Sequence, residues 1–288
     1  MGVCGLCGSN APLLKSHIIP KFTVDWLKRT SATGYLRQAI QPNIRKQDAP
    51  TKRLLCAACE GLFSKSEKLF AENIWVPYQD KGIGSFEYDG WLRSFAISLA
   101  WRTVTVGIEE FRQNNPDLNK LTEAADEALL CWKNHLLNKS ANPGPYENHL
   151  LFVNNINVDD DEIENVPDKT FHYLRRSFDA TIMNNSIFIS AYTKLPGIIL
   201  FSTIRPYTAT KWKGTRISRK GMITTAQQVT DERFGDFIGS RVKFITEANL
   251  SVKQREQINK SIMANPDRTF NSDSFNTFLM EKEFRKQQ

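Results

Sequence analysis

The chain has 288 residues, 41% of them hydrophobic and 24% charged, ordinary values that exclude a disordered or fibrous protein and allow a packed core. No run approaches the roughly 20 apolar residues of a membrane-spanning helix, and the start, MGVCGLCGSNAP, lacks the pattern of a secretory signal, so a cytoplasmic location without membrane contact is expected. The formal net charge of +7 is unevenly spread: residues 15–53 carry nine Lys or Arg against Asp25 and Asp48, residues 159–164 are almost wholly acidic, and basic residues return between Arg175 and Lys220. Such blocks suit contact with a polyanion, although a charge run alone is more often a solvated face.

Two C-x2-C knuckles come first to notice, Cys4-Gly5-Leu6-Cys7 and Cys56-Ala57-Ala58-Cys59. In a reducing compartment paired knuckles point to metal rather than to disulfides, and four thiolates suit a structural, tetrahedral Zn²⁺. Gly5 and Gly8 permit the tight turns that aim two sulfurs at one ion. Cys131 reads as a buried residue on a helix.

Between the knuckles lies Ser16-His17-Ile18-Ile19-Pro20, a strand that Pro20 stops. A His before two Ile is, by itself, more often a packed residue than a catalyst. The segment after Cys59 predicts a helix, with Leu62, Phe63, Leu69 and Phe70 as its apolar stripe and Glu60, Ser64 and Glu67 on another face. Glu67 there is either a supporting group for a metal or a solvated partner of Lys65 and Lys68.

Further on, 91–112 predicts a buried helix, and Asn115-Pro116 announces a second over 118–138. Residues 149–153 read as a short strand, and 186–193 and 197–204 as a hairpin turning through Pro196-Gly197. Residues 212–217 are expected to add a third strand. Helices resume near Thr230, Ser251 with Gln254 forms a capping box, and a last helix covers 274–286. The whole predicts an α+β protein: a zinc-stapled unit at 1–80 and a larger α+β unit at 81–288, with helices on both sides of a small antiparallel sheet. His135, His149 and His172 lack metal-ligand spacing and are expected to be structural or exposed. The stretch from Lys211 to Lys220 either grips nucleic-acid backbone and stacks a base on Trp212, or is a plain exposed arm.

C-x2-C, then S-H-I-I-P, then Leu55-Cys56-Ala57-Ala58-Cys59-Glu60 together make residues 1–75 resemble the zinc-bearing HNH, or ββα-metal, endonucleases. The resemblance implies a metal-dependent endonuclease that hydrolyses phosphodiester bonds in nucleic acid, double-stranded DNA first, with relatives among anti-phage and restriction effectors. It implies His17 as general base and Glu60, in place of the family's last His, as ligand of a catalytic Mg²⁺ or Mn²⁺, separate from the zinc held by Cys4, Cys7, Cys56 and Cys59. The chain departs from the family at Ser16, where a ligating Asp or His is usual. It has no clear counterpart of the Asn that orients the base; Thr51 falls nearest, and Asn43 is a second candidate. Region 81–288 is then expected to sense a signal, dock a protein partner or self-associate. The alternative is a zinc-stabilised nucleic-acid-binding or scaffold protein without catalysis.

Overall fold

Pro20 and the two knuckles set the layout of the first eighty residues. A hairpin of β1 (Gly2–Val3) and β2 (Asn10–Ala11) frames the first knuckle. β3 (Leu13–His17) follows, and after Pro20 the chain turns into α1 (Lys21–Arg29), where the Thr23 hydroxyl donates to the Pro20 carbonyl at 2.7 Å. A short pair, β4 (Leu36–Arg37) and β5 (Arg45–Lys46), lies within the basic segment. β6 (Thr51–Cys56) then returns antiparallel to β3, with His17 opposite Thr51. α2 (Ala57–Phe70) starts at once, so Cys59 falls in its first turn. The buried stripe of α2 is Cys59, Phe63, Ser66 and Phe70; Leu69, expected in that stripe, is exposed. The helix passes through a π-helical turn (Ala71–Trp75) into α3 (Val76–Lys81), which Gly82 ends in the left-handed conformation at φ 65°.

The rest runs β7 (Ser85–Tyr88), α4 (Gly90–Asn114), α5 (Asn119–Leu136), β8 (Asn148–Phe152), α6 (Thr170–Arg176), β9 (Asp179–Asn184), β10 (Ile189–Leu195), β11 (Ile198–Thr203), β12 (Trp212–Lys213), β13 (Gly221–Thr224) and β14 (Gln228–Val229). Four helices complete it: α7 (Glu232–Thr246), α8 (Val252–Ala264), α9 (Pro266–Phe270) and α10 (Asp273–Arg285). This structure, a computed structural model, describes residues 1–156, 165–205, 212–246 and 249–286; the acidic run 159–164 and Lys211 lie outside them. Among the described residues no helix is long and apolar enough to cross a membrane.

The main sheet has the order β8-β11-β10-β9, antiparallel throughout, and its central hairpin turns where the sequence predicts, with Gly197 at φ 72°. The segment expected as a third strand contributes less than a strand. β12 pairs with β14 instead, and only the next residues reach the sheet: Leu150 N–H donates to the Thr215 carbonyl at 2.8 Å, and Ile217 N–H to the Asn148 carbonyl at 2.7 Å. The other strands of the sheet are β8, as expected, and β9, which the sequence pattern did not single out.

Every residue of β10 and β11 is buried because both faces are covered. Ile198 and Leu200 point into a cluster with Phe70, Trp75 and Phe95, while Ile199 and Phe201 point to the opposite side, against Tyr173, Phe234 and Val242 of α6 and α7. α4 lies between that sheet and α2, which is why its apolar residues surround the helix rather than forming one stripe. A second cluster joins Cys4, Leu6, Leu55 and Phe63 to Trp101, Val104 and Trp132. The core is therefore continuous across residue 80. The result is a mixed helix and strand fold with small antiparallel sheets and an N-terminal cysteine cluster.

Candidate functional site

The four knuckle sulfurs converge although the knuckles are 49 residues apart in sequence. The Gly5 N–H donates to the Leu54 carbonyl at 2.9 Å, which docks the first knuckle on β6. Gly8, at φ 80°, closes the turn, and its N–H donates to the Cys4 carbonyl at 2.9 Å. The Cys56 N–H donates to Cys4 Sγ at 3.3 Å. All four Sγ atoms lie within 4.8 Å of one another, and Cys7 and Cys56 are 3.8 Å apart. A tetrahedral Zn²⁺ with bonds of 2.3 Å sets its sulfurs about 3.8 Å apart, so the donor set and spacing fit a structural zinc. Hydrogen bonds to Ser9, from its side chain and then its backbone, pull the Cys7 thiol down to about 6, while burial pushes Cys59 well up. Four sulfurs this close ionise together only around a cation.

His17 stands at the end of β3, partly exposed, with its Nε2 2.9 Å from Asp48 Oδ2. Burial raises the Asp48 carboxyl, but hydrogen bonds from His17 and from the Ala49 N–H hold it below the usual carboxylate range. An ionised carboxylate only accepts, so Nε2 is the donor in this pair, and in the neutral ring that arrangement leaves the lone pair on Nδ1. In the sequence Asp48 is one of two acids in a basic segment; only the β3–β6 register, which sets Thr51 opposite His17, brings it to the ring.

Beneath His17 a second chain of contacts fixes the backbone. Arg102 of α4, 3% exposed, donates to the His17 carbonyl at 2.8 Å and pairs with Glu67 at 2.7 Å. Glu67 is thus neither a free solvated acid nor a partner of Lys65 and Lys68. Ser16 is buried, and its hydroxyl accepts from the Leu55 N–H at 3.2 Å, tying β3 to β6. Thr51 is exposed beside His17, and Asn43 is turned away, its side-chain oxygen accepting from Ser251 N–H at 2.8 Å. Glu60 follows the cluster on the first turn of α2, and its Oε1 is buried without a hydrogen-bond partner among the described residues. Among those residues the four cysteines are the one group of three or more His, Cys, Asp or Glu positioned to share an ion.

The face of the β3–β6 ribbon that bears His17 is basic. Lys15 stands opposite Arg53 there; in the separate β4–β5 pair Arg37 stands opposite Arg45, but its guanidinium donates to the Pro42 carbonyl and to Gln254 Oε1. Like charges placed directly across a ladder are unfavourable, by about 0.2–1 kcal/mol, so the pattern suits a surface that meets anions.

Trp212 does not serve as a base-stacking platform. It is 8% exposed, packed among the rings of His149, Phe201 and Phe234, which also removes the plain exposed arm as a description of this position. His149 is buried, 2.9 Å from the Thr215 hydroxyl, and burial holds its imidazole down to about 4. His135 Nδ1 lies 3.2 Å from the Ser140 carbonyl, and His172 Nδ1 stands 3.9 Å from Glu281 Oε2, as structural residues would.

Comparison of this chain with protein-family models, with curated proteins and with solved structures gave no match.

Proposed function

We propose that the chain is a metal-dependent endonuclease that hydrolyses phosphodiester bonds, in double-stranded DNA first, through a site at the end of β3. The observation that carries this reading is the His17–Asp48 pair, 2.9 Å apart at the edge of a strand–strand–helix unit with a four-cysteine staple. Asp48 supplies the orientation that the HNH family draws from an asparagine. It holds the Nε2 proton and so leaves Nδ1 to take a proton from water. Arg102 fixes the His17 carbonyl from beneath. Lys15 and Arg53 attract the phosphate backbone beside the base. Glu60, with a buried oxygen that lacks a hydrogen-bond partner among the described residues, fits a hard cation as ligand; a Mg²⁺ or Mn²⁺ there would stabilise charge on the phosphate. The zinc of the staple, closed by four thiolates, has no open position for substrate. The resemblance to HNH effectors further suggests a role against invading DNA.

The second reading is a zinc-stabilised nucleic-acid-binding or scaffold protein, favoured by the absence, among the described residues, of a second metal-ligand group of three. A plasmid-cleavage assay with Mg²⁺ or Mn²⁺ separates the two. The nuclease loses about 10²–10⁴-fold in rate on His17→Ala, with zinc and DNA binding retained. Asp48→Asn produces a smaller loss, because the amide still orients the ring but stabilises the imidazolium less. Equal cleavage by wild type and His17→Ala ends the proposed mechanism; DNA binding without cleavage by any form selects the second reading.

A further inference from the structure

Away from the cysteine cluster, a cleft of about 390 Å³ opens between the start of α4, the loop leading into β8, and the segment that follows Thr215. Its lining includes Arg93, Tyr146, Glu147, Arg216 and Arg219. The volume lies within the roughly 300–1,000 Å³ of small-ligand sites. Three arginines therefore line one concave surface with a single carboxylate, and that carboxylate is engaged: Arg216 Nη1 is 3.1 Å from Glu147 Oε1, and His149 Nε2 is 3.5 Å from Oε2. Arg93 Nε is buried and has no hydrogen-bond partner among the described residues. A desolvated guanidinium N–H gains most from an ionised acceptor.

The loop wall of this half-open cleft is set by Gly144 and its neighbours. Gly144, between Pro143 and Pro145, sits at φ 92°, and a Cβ there would come 2.6 Å from the Tyr146 ring. That freedom lets Tyr146 fold back onto Trp132, with ring centroids 5.5 Å apart. The two prolines stiffen the same turn.

We propose that this cleft binds a small phosphorylated molecule of about nucleoside-monophosphate bulk, its phosphate held by Arg93, Arg216 and Arg219. A phosphate carries close to two charges and three acceptor oxygens, which matches several guanidinium forks; a lone carboxylate would leave most of them without an ionised acceptor. The concave shape selects a molecule that enters whole over a backbone that passes by.

The test is calorimetric titration of the full chain with AMP, with inorganic phosphate and with a single-stranded oligonucleotide. Saturable one-to-one binding of AMP, tighter than phosphate, is the expected result. Arg93→Gln and Arg219→Gln should each weaken AMP about tenfold or more. Glu147→Gln, which removes the competing carboxylate, should instead tighten it several-fold, while Lys253→Gln on α8 leaves it unchanged. Arg219 is exposed, so that variant keeps the test decisive even where Arg93→Gln fails to fold. Absence of saturable AMP and phosphate binding overturns the proposal, as does equal binding by every variant. Oligonucleotide binding that is lost in the arginine variants, without AMP binding, assigns the cleft to a nucleic-acid backbone and also overturns it. None of these outcomes depends on cleavage at His17.

Discussion

Replacing Arg102 by methionine keeps a long side chain in the core but deletes the guanidinium, whose Nε also donates to the Ser98 carbonyl of the preceding turn at 3.3 Å. It lies 2.7 Å from Glu67, donates to the His17 carbonyl at 2.8 Å and stands 5.2 Å from the centre of the Phe63 ring. Arg102 is 3% exposed and the Glu67 side chain 21%, so deletion leaves a carboxylate largely out of water with no cation. Removing one member of a buried pair costs about 3–5 kcal/mol, and Glu67's access to solvent selects the lower end, near 3. The lost hydrogen bond at the His17 carbonyl adds about 1 kcal/mol. Urea unfolding of Arg102→Met should therefore show a loss of about 3–4 kcal/mol. The double variant Arg102→Met/Glu67→Gln buries no charge and should recover at least half of that loss, about 2 kcal/mol. A single-variant loss under about 1 kcal/mol, or a double variant no more stable than Arg102→Met, would refute the assignment of this pair as the support beneath His17.

Elemental analysis should find about one zinc per chain, and Cys56→Ser should release it and unfold the N-terminal unit; a folded, zinc-free protein removes the staple from the account. Lys15→Gln relieves the like-charge pair with Arg53, so stability should hold or rise by about 0.2–1 kcal/mol while DNA affinity falls. The slope of log K against log salt should shrink by about 0.9 if Lys15 contacts one phosphate; an unchanged slope means that it contacts none. Burial lowers the His149 imidazole to about 4 from 6.5, so the unfolded chain binds the extra proton first as pH falls. Stability from this residue is complete above pH 6.5 and declines toward pH 4, by about 3 kcal/mol in all. His149→Leu should flatten that part of the urea-midpoint profile relative to wild type, and parallel profiles would show that His149 is not held neutral.

Local chemistry made several parts of the protein legible in the sequence. Each C-x2-C knuckle contains its own turn, Pro20 stops β3 just beyond His17, and Pro196-Gly197 closes the β10–β11 hairpin, because φ limits and turn preferences act over a few residues. Ser251 caps α8 for the same reason, its hydroxyl accepting from the Gln254 N–H. The tertiary structure decided what depends on distant partners. Asp48 meets His17 across 31 residues and Arg102 meets it across 85, and no periodicity records such pairs. Trp212, set among basic residues, looked like a surface ring; its burial was decided by the packing of Phe201 and Phe234 around it. Composition assigns a side chain its chemistry, but exposure and partners are set only when the sheet and α4 bring remote segments together, because burial is a property of the assembled core.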